Sequence, residues 1–174
     1  MKIALYTERL IIRSLEPHDW DDYLALSTNS EANQYVAPIK PERLIRQKFE
    51  ARLLPWLLES GQWLSLIIET LDKEFVGITG FYCQCDVSKR VEVGYIMTPE
   101  MQGKGYATES LLAVIDWGNI AYDIHKYVAI CAKDNVASNA VLLKCGFALE
   151  GHFINHTLHA GKWIDDYQYG LTFT

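Results

Sequence analysis

The sequence predicts a mixed α/β (α+β) domain of about seven strands, mostly antiparallel, flanked by about four helices and containing one parallel pair. Three observations carry that expectation. Strand-like segments at 62–70, 74–85 and 89–98 follow one another with only Asp72-Lys73 and Asp86-Val87-Ser88 as turns, which marks an antiparallel meander. The last of them runs through a glycine turn into a helical stretch from Thr108 to about Tyr122, and then into a strand, Lys126–Ala132. A helical crossover of this kind sets its flanking strands parallel. Two closing strands, 147–158 and 162–173, hinge at Ala160-Gly161 as a hairpin.

The remaining elements follow in order. Residues 8–13 alternate as a strand does. Pro17 suits a first helical position, and Asp19, Asp21 and Asp22 suit the positive end of the helix dipole. Trp20, Tyr23, Leu24 and Ser27 then share one face. Ser30 to Lys40 is polar, holds Pro38 and reads as loop. A second helix is expected from Pro41, with Ile45, Phe49, Leu53 and Trp56 at helical spacing, although Pro55 should kink or end it. Ala137–Lys144 is helical, Gly146 suits the left-handed position beyond its end, and Phe147 supplies the hydrophobic contact after it. Residues 1–174 read as one domain, without repeats or an interdomain linker.

Composition narrows the function classes. A hydrophobic content of 49% suits a packed core. No apolar run approaches the roughly 20 residues needed to span a bilayer. Glu8 and Arg9 precede any secretory hydrophobic region, so a soluble, cytoplasmic protein off the membrane is the expectation. A net charge of −6 argues against nucleic acid as the main partner and agrees with a cationic acceptor. Cys83 and Cys85 lie two apart on one strand face, Cys131 and Cys145 lie in other elements, and none forms Cys-x-x-Cys. They are expected as small core hydrophobes.

Chemistry concentrates after the strand ending at Thr98, in Gln102-Gly103-Lys104-Gly105-Tyr106-Ala107. Backbone amides bunched at a helix start lack partners and sit at the positive end of the dipole, so they bind anions. Gly103 and Gly105 let a phosphate approach the backbone closely. The Walker pattern is not met, and Thr108 stands where the dinucleotide fingerprint needs its third glycine. The pattern Gln-x-x-Gly-x-Ala resembles the acyl-CoA pyrophosphate loop of the GCN5-related N-acetyltransferase (GNAT) family. Asn135-Val136-Ala137-Ser138 through Leu142 to Gly146-Phe147 resembles that family's Asn-x-x-Ser-x-x-Leu-x-x-x-Gly-Phe helix. Thr7-Glu8-Arg9-Leu10-Ile11-Ile12-Arg13 and Trp163-Ile164-Asp165-Asp166-Tyr167-Gln168-Tyr169 look like the first and closing strands of its RimJ/RimL-type branch.

The resemblance implies a GNAT fold in which the parallel strands splay and an acyl-CoA arm wedges between them. Ile96, Met97 and Thr98 would then line the arm, with free backbone groups on Ile96 and Thr98 bonding it. Gln102, Gly103, Lys104, Gly105, Tyr106, Ala107 and Thr108 would hold the pyrophosphate, and Asn135 and Ser138 would face the thioester end. Acetyl-CoA is the implied cosubstrate, without a metal. The implied acceptor is a primary amine, a protein N-terminal α-amino group first, with a polyamine or other small amine as alternative. A CoA-binding regulator without catalysis is the alternative of another class, because Leu142 stands where many relatives place an acid tyrosine.

Ser138 is the substitute general acid, or a plain hydrogen-bonding contact. Glu92 is the first choice of base, since burial would raise its pKa toward neutrality, although it also reads as a structural glutamate. Asp165 and Asp166 come next as bases, then His156. His152 and His156 share a strand face, but with His159 they supply no third ligand, so no zinc site is read. The oligomeric state stays open, a homodimer included.

Overall fold

In a computed structural model that describes residues 2–173, the chain forms one eight-stranded sheet. Its strands are β1 (Ala4–Tyr6), β2 (Leu10–Ser14), β3 (Leu66–Thr70), β4 (Phe75–Cys85), β5 (Arg90–Met97), β6 (Lys126–Ala132), β7 (Ala148–His159) and β8 (Lys162–Thr172). The spatial order is β1-β2-β3-β4-β5-β6-β8-β7, and β5 with β6 is the one parallel pair. Four α-helices flank the sheet: α1 (Trp20–Thr28), α2 (Glu42–Leu53), α3 (Tyr106–Tyr122) and α4 (Val136–Lys144).

The strand beyond the expected seven is β1, an edge segment of three residues that is too short to show alternation. Residues 7–9, expected inside a strand, form the turn that joins it to β2. Pro17 opens a 3-10 turn, Pro17–Asp19, in which Asp19 accepts the Glu16 backbone N–H at 2.7 Å before α1 begins. Pro55 ends the second helix, as its ring demands: Leu54, just before it, is extended with ψ 154, and α2 stops at Leu53. Trp56 therefore leaves the helical face it was assigned and packs edge-on against Phe81 and Tyr122. Trp63 also falls outside its expected strand and stacks on Tyr82 at 4.8 Å.

The C-terminus of α4 closes as its residues dictate. Phe147 N–H bonds Leu142 C=O and Gly146 N–H bonds Leu143 C=O, with Gly146 at φ +87, a Schellman cap. The two sheet faces carry separate cores. On one, Leu111, Val114 and Ile115 of α3 and Leu142 of α4 pack against Phe81, Val91, Val93 and Met97. On the other, Tyr23 and Leu26 of α1 and Ile45 and Phe49 of α2 pack against Ile67 and Ile78, with Ile96 beside them. Strand alternation thus turns Val93, Tyr95 and Met97 toward α3 and α4, and Glu92, Gly94 and Ile96 toward α1 and α2. Cys131 and Cys145 are buried, whereas Cys83 and Cys85 are half-buried either side of a bulge in β4. Among the described residues no helix is long and apolar enough to cross a membrane.

Candidate active site

The site originates in an interrupted strand pair. β5 and β6 pair only over Arg90↔Lys126, Val91↔Tyr127 and Glu92↔Val128. β5 continues to Met97 and β6 to Ala132, unpaired with each other. A cleft of about 480 Å³ opens where they part. Val93, Tyr95, Ala129 and Cys131 line it, Asn135, Ser138 and Leu142 close one side, and it extends under α1 and α2. Unpaired strand backbone exposes N–H and C=O groups that an extended ligand can bond.

The register decides which groups those are. Thr98 donates its N–H to Val76 C=O at 3.0 Å and its C=O accepts the Met101 N–H at 3.0 Å. Both of its groups are engaged, contrary to the sequence expectation. A residue's two backbone groups point to the same side of an antiparallel ladder, and the side alternates. Ile96, paired with Ile78, therefore directs its groups into β4. Tyr95 and Met97 direct theirs into the gap.

Beyond β5, the turn Pro99–Met101 leads into the loop and α3. Gly103 and Gly105 lie at φ +74 and +84, where an L side chain is strained. The backbone N–H groups of Gly103, Lys104, Gly105, Tyr106, Ala107 and Thr108 find no acceptor among the described residues, and the first helical bond runs from Glu109 N–H to Gly105 C=O. A Cβ at Gly103 would meet nothing within 4 Å, so the surface above the amides is open. This donor set fits a diphosphate. Gln102 turns back, its Nε2 3.5 Å from Met97 C=O, and the Lys104 ammonium is solvent-facing.

Arg9 had no role in the sequence reading beyond the resemblance, yet it holds this loop. Its guanidinium bonds Glu109 in the first turn of α3 at 2.7 Å and Lys104 C=O at 3.0 Å, and lies 4.8 Å over the Tyr106 ring. A loop-to-turn contact over this separation leaves no local pattern to read.

Asn135 caps α4, its Oδ1 accepting the Ser138 N–H at 3.1 Å. The Ser138 hydroxyl lies 2.9 Å from the Tyr95 hydroxyl, which also donates to Ser138 C=O at 3.2 Å. Burial pushes the Tyr95 phenol well above its ordinary pKa and keeps it protonated. Sequence reasoning missed Tyr95. Its signal was a tyrosine on the α4 face of the strand, three residues before Thr98.

Glu92 stands at the apex, in the last paired position of β5, and lines the cleft. Burial raises its carboxyl pKa, while Gln84 Nε2 at 2.8 Å and the Tyr82 hydroxyl at 3.3 Å hold its charged form back toward normal. Asp165 and Asp166 do not line the cleft. Asp165 is held by the Asn155 N–H and His152, while buried Asp166 is held by Thr157 and His156. His152 and His156 therefore do not act on one face. A register shift after Phe153, with Asn155 at φ +49, sends His152 to Asp165 and His156 to Asp166. Among the described residues no three His, Cys, Asp or Glu side chains gather as a metal set.

The comparisons agree with this geometry. An acetyltransferase (GNAT) domain family model matches residues 9–148. The chain is 29% identical over 168 residues to the uncharacterized N-acetyltransferase YoaA of Bacillus subtilis, covering 96% of this chain and 95% of that one. It is 26% identical over 179 residues to the ribosomal protein uS5-alanine N-acetyltransferase of Escherichia coli, covering 98% and 91%. A crystal structure of spermidine N-acetyltransferase from Vibrio cholerae, in complex with CoA and spermine, superposes with a TM-score of 0.84 at 20% identity, covering 95% and 96%. With its parted strands, its open amide loop and a family match over most of its length, this chain belongs to the GCN5-related N-acetyltransferase family and is an N-acetyltransferase.

Proposed function

We propose that this protein transfers acetyl from acetyl-CoA to the N-terminal α-amino group of a protein or peptide. The observation that carries the reading is that the strands part just after Glu92 and Val128. The gap then joins the α3–α4 side, where the amide loop begins a helix, to the cleft under α1 and α2. A donor held from one side can meet an acceptor entering from the other. The uS5-alanine acetyltransferase of E. coli, similar over nearly the whole chain, supports an α-amino acceptor.

When bound, acetyl-CoA supplies an activated acyl group. The chain's residues orient it and move protons. The amides from Gly103 to Thr108 bind the diphosphate, and the backbone groups of Met97 bond the arm as a missing strand would. The Tyr95 N–H points into the gap, where it stabilises the negative charge that develops on the carbonyl oxygen under attack. Glu92 takes the proton of the attacking amine, and its position at the apex lets it reach the acceptor side. The Ser138–Tyr95 hydroxyl pair returns a proton to the departing sulfur, the task Leu142 lacks the chemistry for. Holding two reactants in line supplies much of the rate.

The test is mass spectrometry of peptides with free and blocked N-termini, together with polyamines, after incubation with acetyl-CoA. Acetylation confined to free peptide α-amines supports the proposal. Acetylated spermidine replaces the acceptor, and CoA binding with no acetylated product at all leaves a regulator in place of an enzyme.

A further inference from the structure

The part of the cleft under α2 carries positive charge that no carboxylate among the described residues pairs with. Lys40, Lys48 and Arg52 line the cleft against one carboxylate, Glu92, in a chain of net charge −6. Half-buried Arg52 donates to the Tyr23 hydroxyl at 3.3 Å and, among the described residues, neither it nor Lys48 is within ion-pair distance of a carboxylate. Arg13 shows the ordinary alternative, bonded to both Asp19 and Glu69. Lys48 and Arg52 lie one turn apart on α2, so two like charges share a face. Burial pushes both pKa values down, and the Arg52 charge lowers that of Lys48 further.

A desolvated guanidinium without a counter-charge costs stability, and its planar donor fork matches a carboxylate or phosphate. The phosphates of the cosubstrate do not explain it. α2 packs on the Ile67–Ile78 face, the amide loop begins α3 on the opposite face, and none of residues 102–107 lines this cleft. Resting on the acetyl-transfer reading, we infer that Lys48 and Arg52 bind an anionic group, carboxylate or phosphate, carried by the acceptor amine. The acceptor is an anionic amine, and polyamines are repelled.

The experiment uses matched acceptors with saturating acetyl-CoA. Ala-Asp-Glu-Ala-amide is compared with Ala-Asn-Gln-Ala-amide, and phosphoethanolamine with ethanolamine, which separates an acidic peptide from a small phosphorylated amine. The anionic member of at least one pair is expected to show kcat/KM at least tenfold higher. That ratio should fall toward one in Arg52→Gln and in Lys48→Gln, and Arg52→Lys should retain part of it. Lys48 keeps a larger share of its surface in solvent than Arg52, although its ammonium is partly desolvated, so its variant keeps the test open where Arg52→Gln unfolds. Equal use within both pairs, preference for spermidine, or a ratio that survives both variants overturns the inference. Calorimetric binding of the acidic peptide to CoA-saturated protein is a second readout, with affinity expected to drop at least tenfold in Arg52→Gln. A protein that binds this peptide through Arg52 but acetylates no amine loses the transfer reading and keeps only the anion site, not its role in choosing an acceptor. Equal transfer to acidic and neutral acceptors does the reverse.

Discussion

The Arg9 guanidinium and the Glu109 carboxylate meet at 2.6 Å, one from the turn before β2 and the other from the first turn of α3. Glu109 also accepts the Arg9 N–H at 2.9 Å and the Thr7 hydroxyl at 2.6 Å, so the turn and the helix start are fastened together. Since Arg9 also bonds Lys104 C=O, the fastening fixes the loop whose amides face outward. Arg9→Ala is expected to weaken CoA binding about fivefold, the equivalent of ~1 kcal/mol for one net hydrogen-bonding cluster. Calorimetry with CoA reads it, and the loss should appear more in KM for acetyl-CoA than in kcat. Unchanged affinity would mean the loop holds its shape unaided.

The two loop glycines separate strain from obstruction. At Gly103 a methyl group meets open space, so Gly103→Ala suffers only the left-handed backbone strain, roughly 1–2 kcal/mol. At Gly105 the same change also brings Cβ within 3.3 Å of the Arg9 guanidinium. Both variants are expected to raise KM for acetyl-CoA, Gly105→Ala more than Gly103→Ala. Equal effects would show that Arg9 yields freely.

What the sequence made legible here is what acts locally. Gly146 announced its left-handed backbone, Gly103 and Gly105 announced a loop open to close approach, and the meander and crossover announced the sheet. Pro55 announced the end of α2, although Trp56 beyond it was placed by spacing alone and went elsewhere. The site's finer wiring depends on register, which propensity does not encode. Whether Ile96 or Tyr95 offers its amide to the gap follows from which residues of β4 oppose them, and one residue of slip would exchange the two. Arg9–Glu109 and Tyr95–Ser138 join residues far apart in the chain, so neither left a pattern.

The Tyr95 and Ser138 hydroxyls lie 2.9 Å apart and form one unit. If that unit returns the proton to sulfur, Ser138→Ala and Tyr95→Phe should each lower kcat about 10- to 100-fold, with the double variant little worse than either. KM for acetyl-CoA should move by less. Single-turnover kinetics at saturating cosubstrate measures this. Full activity in both single variants removes the pair from the mechanism.

Glu92 makes a pH prediction. A base must be ionised, and burial raises this carboxyl above the ordinary glutamate value of about 4.3. The acid limb of kcat/KM should therefore rise through a pKa above that value. Glu92→Gln should lower kcat by about 10²–10⁴ and flatten the limb. Stability runs the other way. A carboxyl with a raised folded pKa contributes stability at low pH that is lost as pH rises through that pKa, so the glutamine variant should be no less stable than the parent at pH 7. A glutamate kept purely for structure would show the opposite pair of results.

Arg13 offers the sharpest stability test, because it lies away from the cleft lining and its partners are buried. It bonds Asp19 at 2.7 Å and Glu69 at 3.1 Å, and Lys73 also reaches Glu69 at 2.6 Å. Burial alone would raise both carboxyl pKa values, but the bonds from Arg13 and the Glu16 N–H at Asp19, and from Lys73 and then Arg13 at Glu69, outweigh it and hold both below the usual range. Lowered folded values contribute stability that is present above the unfolded pKa, near 4, and lost as pH falls through the folded one. Arg13→Met leaves buried Asp19 with only the Glu16 N–H and the exposed His18 ring against its charge, at a cost of about 3–5 kcal/mol near neutrality. Without the guanidinium the desolvation of Asp19 weighs more against the Glu16 N–H and His18, so its folded pKa rises and the stability it contributes above the unfolded pKa shrinks. Denaturant midpoints should fall below about pH 4 for the parent, whereas the variant should lose part of its deficit as pH drops toward that value. A deficit that stays constant with pH would mean that Arg13 contributes packing rather than charge.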